Sequence, residues 1–513
     1  MAATISLRTW TAITGSTLGA FMAILNIQVV NASLADIRGA IGAGIDDGAW
    51  ITTAYLIAEI VAIPLAGWLA KVFSMRRYLI GSAALFLLFS VACAFAQDLG
   101  QMIALRALQG FSGGVLIPLS FTLIITLLPP SRQPIGMAMF SFAATLAPVI
   151  GPTIGGVLSE SWGWQSIFYL NLVPGAAMLA MLWVSLEREP MQLDLLRRGD
   201  WTGIVTVAIG LGAAQTVLEE GEKLDWLDSA LVARLAIVAA LSLGLFVWIE
   251  LTTAHPLVNL RLLGRRNFLG GALATFLLGL VSYGTVFILP TYLAQVQGYN
   301  AQQIGMVLAW TGLPQLLVIP LLPRLMRMVD ARWIIVAGLG VFAASNFMNV
   351  AISTDLAGDQ LLLADVVRAV GQALVMTPLA TLAVVGIEAG DKASASALLN
   401  VLRNLGGAFG IAVLQTFLIR RAHFHSSMLA QSVSLFDDAT RQRLDQLVRH
   451  FQSHGVVDYA TAWHKAVIAI GSSVHRQAYT LAFGDVFLVL GLTLLVAILA
   501  ALLLKKPVPA AVR

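Results

Sequence analysis

The sequence predicts an all-α polytopic membrane protein whose chain crosses the bilayer fourteen times. Apolar residues make up 58% of the 513 residues and charged residues only 11%, whereas a soluble domain carries about 25% charged residues. Apolar stretches of about 20 residues, the length that crosses a bilayer core, recur along the whole chain. We therefore expect the mass of the protein to lie in the membrane.

The apolar stretches fall into three groups. A first group of six helices is predicted at 10–34, 50–70, 78–97, 101–128, 135–158 and 165–186. Two further helices are predicted at 201–219 and 231–251, and a second group of six at 267–294, 301–326, 333–353, 359–388, 393–420 and 477–504. The predicted domains are an N-terminal half at 1–190, an inserted pair of helices at 191–260 and a C-terminal half at 261–513, with a long periplasmic loop at 421–476.

Lysines and arginines predict the orientation, because short basic loops stay in the cytoplasm. On the face that holds both termini the loops carry Arg8, Lys71, Arg76, Arg77, Arg132, Arg188, Arg197, Arg198, Arg261, Arg265, Arg266, Arg324, Arg327, Arg332, Lys392, Lys505, Lys506 and Arg513. The short loops of the other face hold only Arg38 and Lys223. Both termini are therefore predicted to lie in the cytoplasm. The protein itself is predicted to lie in a bacterial inner membrane. This sidedness accounts for the net charge of +4, and no nucleic-acid partner is predicted.

A weak internal repeat supports two related halves. The segment Gly67 to Arg76 after the second helix has its leucine, a basic residue and its final arginine in register with Pro323 to Arg332 after the tenth. In the fourth helix of each half an arginine, Arg106 or Arg368, precedes a proline. Transporters built from such repeats bind their substrate between the halves, near the middle of the membrane.

These residues also carry a family resemblance. The loop Gly67 to Arg77, the helix-four segment Leu105 to Gly110 and the helix-five segment Gly151 to Gly156 are similar to motifs of the fourteen-helix drug:proton antiporters of the major facilitator superfamily, most closely the EmrB-type permeases. The segments Leu289 to Leu293, Gly298-Tyr299 and Arg403 to Gly407 are also family-like. The resemblance implies a major facilitator fold of two six-helix halves plus two inserted helices. It also implies multidrug export and, in a Gram-negative cell, a periplasmic adaptor of the EmrA type and an outer-membrane channel of the TolC type.

The chain departs from the family pattern in two places. In the loop motif, Lys71 stands where the wider superfamily has an acidic residue and Ser74 stands where it has glycine. In the first helix, Asn26 occupies the position at which the family usually has an aspartate. Because an amide does not take up a proton as a carboxylate does, the proton-coupling residue has to lie elsewhere.

A run of glycine and proline in the predicted fifth helix contains Pro148, Gly151, Pro152, Gly155 and Gly156. Small residues four apart share one helix face and let two backbones approach closely. Two prolines one turn apart also remove backbone donors, which packing alone does not require. We therefore interpret the run as a hinge that also packs closely, with packing alone as the alternative.

Glu59 and Arg106 are the first candidates for proton coupling. Glu59 lies in the middle of the predicted second helix, where an ionised carboxylate costs a few kcal/mol or more unless it is paired or hydrated. Arg106 stays charged and needs a partner at that depth. We hypothesise that Arg106 stabilises the deprotonated Glu59. The alternatives are a glutamate hydrogen-bonded to a neighbouring helix and an arginine that tethers two helices.

The second half offers a runner-up. Asp365 and Arg368 are three residues apart on one helix and are expected to satisfy each other, with Asp365 as the second candidate for the proton. Arg403 is interpreted as a packing or gating element.

Polar and aromatic side chains inside the predicted helices suit an adaptable substrate cavity with few fixed hydrogen bonds. These candidates are Asn26, Tyr55, Gln109, Asn171, Tyr283, Trp310 and Gln315. Contacts between helices are the alternative role for each.

The loop at 421–476 holds six histidines, among them His450 and His454 at a spacing that a metal site could use. Because no third ligand is placed by the sequence, we interpret them as solvated and predict no metal. The helical patterns at 437–454 and 459–464 could form a docking surface for a periplasmic partner.

The energy source is predicted to be the proton gradient, with no cofactor, because the chain lacks a phosphate-binding loop ending in Gly-Lys-Ser/Thr. The predicted function is proton-coupled efflux of small amphipathic or hydrophobic toxic compounds by alternating access. Two alternatives stay open: a dedicated transporter of one metabolite, such as a siderophore, in either direction, and a non-transporting membrane sensor. An intramembrane enzyme is disfavoured, since no nucleophile and base or metal ligands fall at a common depth.

Overall fold

The computed structural model describes residues 5–197, 199–253, 256–356 and 358–504. Within these ranges fourteen helices are long and apolar enough to cross a membrane. They are Leu7–Ala32 (α1), Trp50–Val72 (α2), Met75–Cys93 (α3), Leu99–Leu127 (α4), Gln133–Trp162 (α5), Ser166–Ser185 (α6), Trp201–Glu220 (α7), Ala230–Thr252 (α8), Arg266–Gln295 (α9), Gln302–Met328 (α10), Ala331–Met348 (α11), Gly358–Ala383 (α12), Lys392–Gln431 (α13) and Tyr459–Leu502 (α14). Each overlaps one predicted helix. Of the basic residues used for orientation, Arg198, Lys505, Lys506 and Arg513 lie outside the described residues.

The segment predicted as a long loop at 421–476 is mostly helical. α13 continues to Gln431, and α14 already begins at Tyr459. Between them lies one further helix, Asp438–Ser453, which we call the outer helix. Its buried Leu444 and Val448 pack on Ala462 and Ala466 of α14. The predicted second short helix at 459–464 is thus the first part of α14.

Polar caps start several of the helices, because the first backbone N–H groups of a helix lack partners within it. Asp98 accepts from the N–H of Gln101 at the start of α4 and Asp200 from that of Gly203 at the start of α7. Asn300 forms a reciprocal capping box with Gln303 at the start of α10. These caps fix where the chain enters each helix.

The helix packing repeats itself along the chain. In the first group α1 packs on α5 and α6, α2 on α4, and α3 on α4 and α6. In the second group α9 packs on α13 and α14, α10 on α12, and α11 on α12 and α14. Each of these five pairs of the first group thus has a counterpart eight helices later, as expected for two related six-helix groups.

The two groups meet along four helix pairs, α2 with α13, α4 with α13, α5 with α10 and α5 with α12. Thr377 of α12 donates to the hydroxyl of Ser141 of α5 at 3.0 Å. Ser396 of α13 donates to the carbonyl of Pro118 of α4 at 2.8 Å. The α2, α4 and α5 helices therefore face the second group directly.

The inserted pair α7 and α8 lies against both groups through α7, which contacts α2 and α13. On the α2 side, Thr53 donates to the carboxylate of Glu220 at 3.3 Å. On the α13 side, Gln415 donates to Glu222 at 2.7 Å and the indole of Trp226 donates to Thr416 at 2.9 Å. The turn after α7 thus bridges the two groups.

Candidate functional site

A cavity of about 130 Å³ lies between the two groups. Its walls come from α1 and α5 of the first group and from α9 to α13 of the second. The polar residues that line it include Gln28, Tyr283, Gln315, Arg368, Gln372 and Arg403. A site shared by both groups matches the position predicted from the repeat.

The glycine and proline run lies beside this cavity and packs α5 against α1. α5 is one continuous helix through Pro148 and Pro152. A Cβ added to Gly151 would lie 2.5 Å from the Cβ of Gln28, and one on Gly155 would lie 2.7 Å from the carbonyl oxygen of Val29. Close backbone packing by the two glycines is therefore observed.

The second group contains a matching contact that the sequence analysis did not identify. On α13, Gly406 and Gly410 are also four residues apart, and a Cβ on either would collide with the backbone of α9, at Phe276 and Leu280 respectively. The pair α9 and α13 is the counterpart of α1 and α5. Glycines at that spacing in α13 were visible in the sequence and could have predicted this contact.

Arg106 is fully buried in α4 and is held by neutral groups. Its Nη1 donates to Asn26 Oδ1 at 2.6 Å and to Gln109 Oε1 at 2.7 Å, and its Nε donates to the carbonyl of Ile51 at 3.4 Å. The guanidinium also lies over the ring of Tyr55, 4.2 Å from its centre. Its Nη2 has no partner among the described residues. Asn26 therefore supplies an acceptor where the family has a carboxylate.

Glu59 is buried in α2 with 3% of its surface exposed. Its Oε2 has no hydrogen-bond partner among the described residues, and the hypothesised ion pair with Arg106 is not found among them, because Arg106 donates to Asn26 and Gln109 instead. Glu59 lies on α2, which packs on α13, the helix that carries Arg403. A buried carboxyl group of the first group thus lies on a helix that contacts an arginine-bearing helix of the second.

Arg403 is the functional candidate that sequence reasoning undervalued. Its Nη2 donates to Asn400 at 3.3 Å, while its Nε is buried without a partner among the described residues. It lines the cavity together with Tyr283, and its helix α13 packs on α2, which carries Glu59. Its position depends on how α13 packs against α2, which no local pattern in the sequence reveals.

Asp365 and Arg368 pair on α12 as the sequence predicted, with 3.7 Å between Oδ1 and Nη2. Asp365 Oδ2 has no partner among the described residues. Arg368 lines the cavity, and Asp365 lies behind it. A charge-assisted hydrogen bond is usually about 2.7–2.9 Å long, so this pair is loose and leaves the guanidinium available to the cavity.

The seven predicted substrate contacts fall in different places. Tyr283 and Gln315 line the cavity. Asn26, Tyr55 and Gln109 surround Arg106 instead.

The other two predicted contacts lie away from the cavity lining. Asn171 joins α6 to α3 by donating to Ser90 at 3.0 Å. Trp310 is 47% exposed. Each of these side chains has a place in helix packing or at the surface.

On the face that holds the termini, two lysines join the groups by binding carbonyl oxygens. Lys71, in the last turn of α2, donates to the carbonyl of Gly390 at 3.2 Å. Lys392, at the start of α13, donates to Ile125 of α4 at 2.7 Å. A basic residue at position 71 thus contributes a cation–carbonyl contact between the two groups.

The histidines of the segment 421–476 do not form a metal site within the part of the chain that the structure describes. The rings of His450 and His454 lie 4.2 Å apart at their centres, on the outer helix and at its end. His425 instead contacts Asp485 of α14 at 2.7 Å, beside an ion pair of Arg421 with the same carboxylate. This cluster ties the extension of α13 to α14.

The sequence profile of the Major Facilitator Superfamily matches residues 16–411. That range covers most of α1, all of α2 to α12 and part of α13. It therefore contains every residue of the cavity lining described above.

Relatives align over nearly the whole length. The chain is 31% identical to the colistin resistance protein EmrB of Acinetobacter baumannii, over 95% of this chain and 94% of the relative. It is 30% identical to the fatty acid resistance protein FarB of Neisseria gonorrhoeae, over 96% of this chain and 94% of the relative. The multidrug export protein EmrB of Escherichia coli is 29% identical, over 84% of each chain.

Solved structures are similar in fold. The proton:xylose symporter XylE has a TM-score of 0.60 at 14% identity and covers 95% of each chain. The human organic anion transporter MFSD10 has a TM-score of 0.56 at 15% identity, over 95% of this chain and 99% of that one. With the repeated helix packing and the shared cavity, these findings show that the chain belongs to the major facilitator superfamily of membrane transporters and, within it, to the EmrB-type permeases.

Proposed function

We propose that this protein is a proton-coupled exporter of small amphipathic or hydrophobic toxic compounds, a multidrug:proton antiporter of the bacterial inner membrane that works by alternating access. Relatives named for multidrug export and for resistance to colistin and to fatty acids support a broad amphipathic substrate range. The cavity between the groups supports a substrate site that rearrangement of the groups could expose to either side.

The observation that carries the proposal is the position of Glu59. This buried carboxyl lacks a partner for one oxygen among the described residues, and its helix α2 packs on α13, which carries Arg403 of the other group. Gain or loss of a proton on Glu59 would change its attraction to Arg403 and hence the balance between arrangements of α2 and α13. Asp365 is the second candidate, because it is coupled to Arg368 at the cavity wall.

The proton gradient supplies enough energy. One charge crossing 100 mV yields about 2.3 kcal/mol, and one pH unit adds about 1.4 kcal/mol. Their sum of about 3.7 kcal/mol sustains a substrate gradient of several hundred-fold. No second energy input is needed for efflux.

The outer helix and the ends of α13 and α14 form a surface beyond the spans on which large apolar side chains are exposed, including Phe436 at 96% and Val457 at 91%. We propose that this surface docks a periplasmic adaptor of the EmrA type, which leads to an outer-membrane channel of the TolC type. The termini then lie in the cytoplasm.

The test is proton-coupled transport in proteoliposomes, with Glu59→Gln and Asp365→Asn measured in parallel. A pH-sensitive dye reports protons while uncharged, anionic and cationic amphipathic compounds are supplied in turn. We expect Glu59→Gln to abolish substrate-dependent proton movement. Glu160→Gln is the matched control, because Glu160 is exposed at the end of α5. Full coupling in Glu59→Gln would refute the assignment of the proton to Glu59.

A competition experiment, together with the proton measurement, separates the alternative functions. Competition by many unrelated compounds in everted vesicles supports multidrug export, whereas competition by one metabolite supports a dedicated transporter. If no compound moves protons in the wild-type protein, the sensor interpretation is favoured.

A further inference from the structure

An apolar groove lies between α1, α5 and α10 on the side of the cavity that faces the termini. Its volume is about 510 Å³, within the range of about 300–1,000 Å³ that is typical of small-molecule sites. Its walls include Leu18, Phe21, Ile135, Met139, Phe142 and Pro320. A groove of this size and chemistry suits a hydrocarbon chain.

The groove continues the cavity along the same three helices. On α1 the groove is lined from Thr14 to Phe21, and the cavity is lined by Ile24 and Gln28. At 1.5 Å per residue, the distance from Thr14 to Gln28 is about 21 Å. α5 and α10 show the same order, with their groove residues nearer the face of the termini. One elongated molecule could therefore occupy both spaces.

Two features mark the groove as a binding site. Thr17 lines it and is 6% exposed, yet its hydroxyl has no partner among the described residues. A buried polar group without a partner costs free energy unless a ligand or water completes it. At the mouth of the groove Thr14 and Pro320 are exposed, so that the groove opens at the surface of the helix bundle.

Two guanidinium groups line the cavity end of this combined space. Arg368 and Arg403 line it, and no carboxylate is among its lining residues. Arg403 has an unused Nε donor, and Arg368 is only loosely held by Asp365. Guanidinium groups bind carboxylates and other oxyanions strongly through charge-assisted hydrogen bonds.

We propose that the protein binds single-chain amphiphiles with an anionic head, the head at Arg368 and Arg403 and the chain in the groove between α1, α5 and α10. The inference rests on the proposed function in one respect, that the bound molecule is the one transported. An inside-negative membrane potential favours outward movement of such an anion.

The first test measures transport of dodecanoate by the full chain in proteoliposomes. We expect hexanoate, with the same head and a shorter chain, to compete weakly, and dodecyltrimethylammonium, with the same chain and a cationic head, not to compete. Ala143→Leu narrows the groove, because Ala143 lines it. This change should raise the half-saturating concentration of dodecanoate about tenfold, since loss of contact with two methylenes is worth about that factor. Ala240→Leu, at an exposed alanine of α8, is the matched control.

A second test does not depend on transport. Dodecanoate carrying a photoreactive diazirine at the chain end is cross-linked to the protein, and the labelled peptides are identified by mass spectrometry. We expect labels within 135–146 of α5 and 319–323 of α10. Arg403→Gln should reduce labelling by this probe and leave labelling by an uncharged dodecanol probe unchanged.

The outcomes separate this inference from the proposed function. Labels outside the groove, or equal competition by the cationic amphiphile, would overturn the inference even if uncharged drugs still drive proton movement. Labels in the groove without any proton movement would support the binding site while the proposed function fails.

Discussion

The guanidinium of Arg106 donates a hydrogen bond of 2.6 Å to the side-chain oxygen of Asn26, and this contact joins α4 to α1 through a neutral acceptor. A buried arginine costs free energy unless its donors are satisfied. The position that the family resemblance assigns to an acid therefore holds the arginine in place, while the unpartnered carboxyl of Glu59 lies on α2.

Replacing Asn26, the acceptor of this hydrogen bond, should lower the stability of the folded protein. We expect Asn26→Leu to destabilise the protein by about 1.5–3 kcal/mol, because a hydrogen bond to a buried charged group is lost. Asn26→Asp retains an acceptor of the same size and should be far milder. Thermal unfolding in detergent, followed by circular dichroism, measures both. Equal unfolding temperatures for Asn26→Leu and the wild-type protein would contradict the role given to Asn26.

Adjacent glycines of α5 offer a matched pair of substitutions. A Cβ on Gly155 meets the backbone of Val29 at 2.7 Å, whereas a Cβ on Gly156 meets nothing within 4 Å. Gly155→Val should therefore destabilise the contact of α1 with α5 by about 1–3 kcal/mol through overpacking. Gly156→Val serves as the control and should unfold close to the wild-type temperature. If the two variants lose the same stability, backbone packing is not the role of Gly155.

Ser74, at the turn between α2 and α3, has φ 69° and ψ 145°, a region that glycine occupies at little cost. Its hydroxyl is also buried without a partner among the described residues. Ser74→Gly should stabilise the protein by about 1–3 kcal/mol, the usual cost of such a backbone conformation. Ser74→Ala keeps the Cβ and should not reproduce the gain. A lower melting temperature in Ser74→Gly would refute the assignment of strain to this turn.

The proposed docking surface can be tested by a substitution that introduces one negative charge. Phe436 is 96% exposed just before the outer helix, so that Phe436→Glu should leave folding unchanged. We expect this variant to lose capture of an EmrA-type adaptor in a pull-down from detergent. The control is Leu502→Glu, at an exposed position near the other end of α14. Equal capture by Phe436→Glu and the wild-type protein would exclude this part of the surface as a contact.

A pH effect is expected where α14 begins. Hydrogen bonds from the side chain and backbone N–H of Thr461 lower the pKa of the exposed Asp458 below its usual value. Since the folded pKa is the lower one, the cap stabilises the first turn above the unfolded pKa, and this contribution is lost as the pH falls through the folded pKa. Hydrogen exchange of the Thr461 amide should therefore become faster, relative to its intrinsic rate, in acid. In Asp458→Asn this acid-dependent loss of protection should disappear.

The sequence by itself determined the class of the protein. Hydropathy over about 20 residues places each helix, because a bilayer requires every backbone polar group to be paired within its own segment. It also placed Glu59, Arg106, Asp365 and Arg368 inside spans and predicted the contact of Asp365 with Arg368, since residues three apart share a helix face. The profile match and the relatives confirm the family resemblance carried by the local motifs.

Only the tertiary structure decided which of these groups meet. In the structure Arg106 donates to Asn26 and Gln109 instead of pairing with Glu59, and Arg403 lines the cavity on a helix that packs on the helix of Glu59. Contacts between helices depend on how each helix is rotated and how deep it lies relative to its neighbours. Hydropathy does not encode this, because an apolar helix face packs as well against lipid as against another helix. The extension of α14 beyond its apolar part was likewise decided by packing on the outer helix, and that of α13 by contacts with α14 such as the ion pair of Arg421 with Asp485.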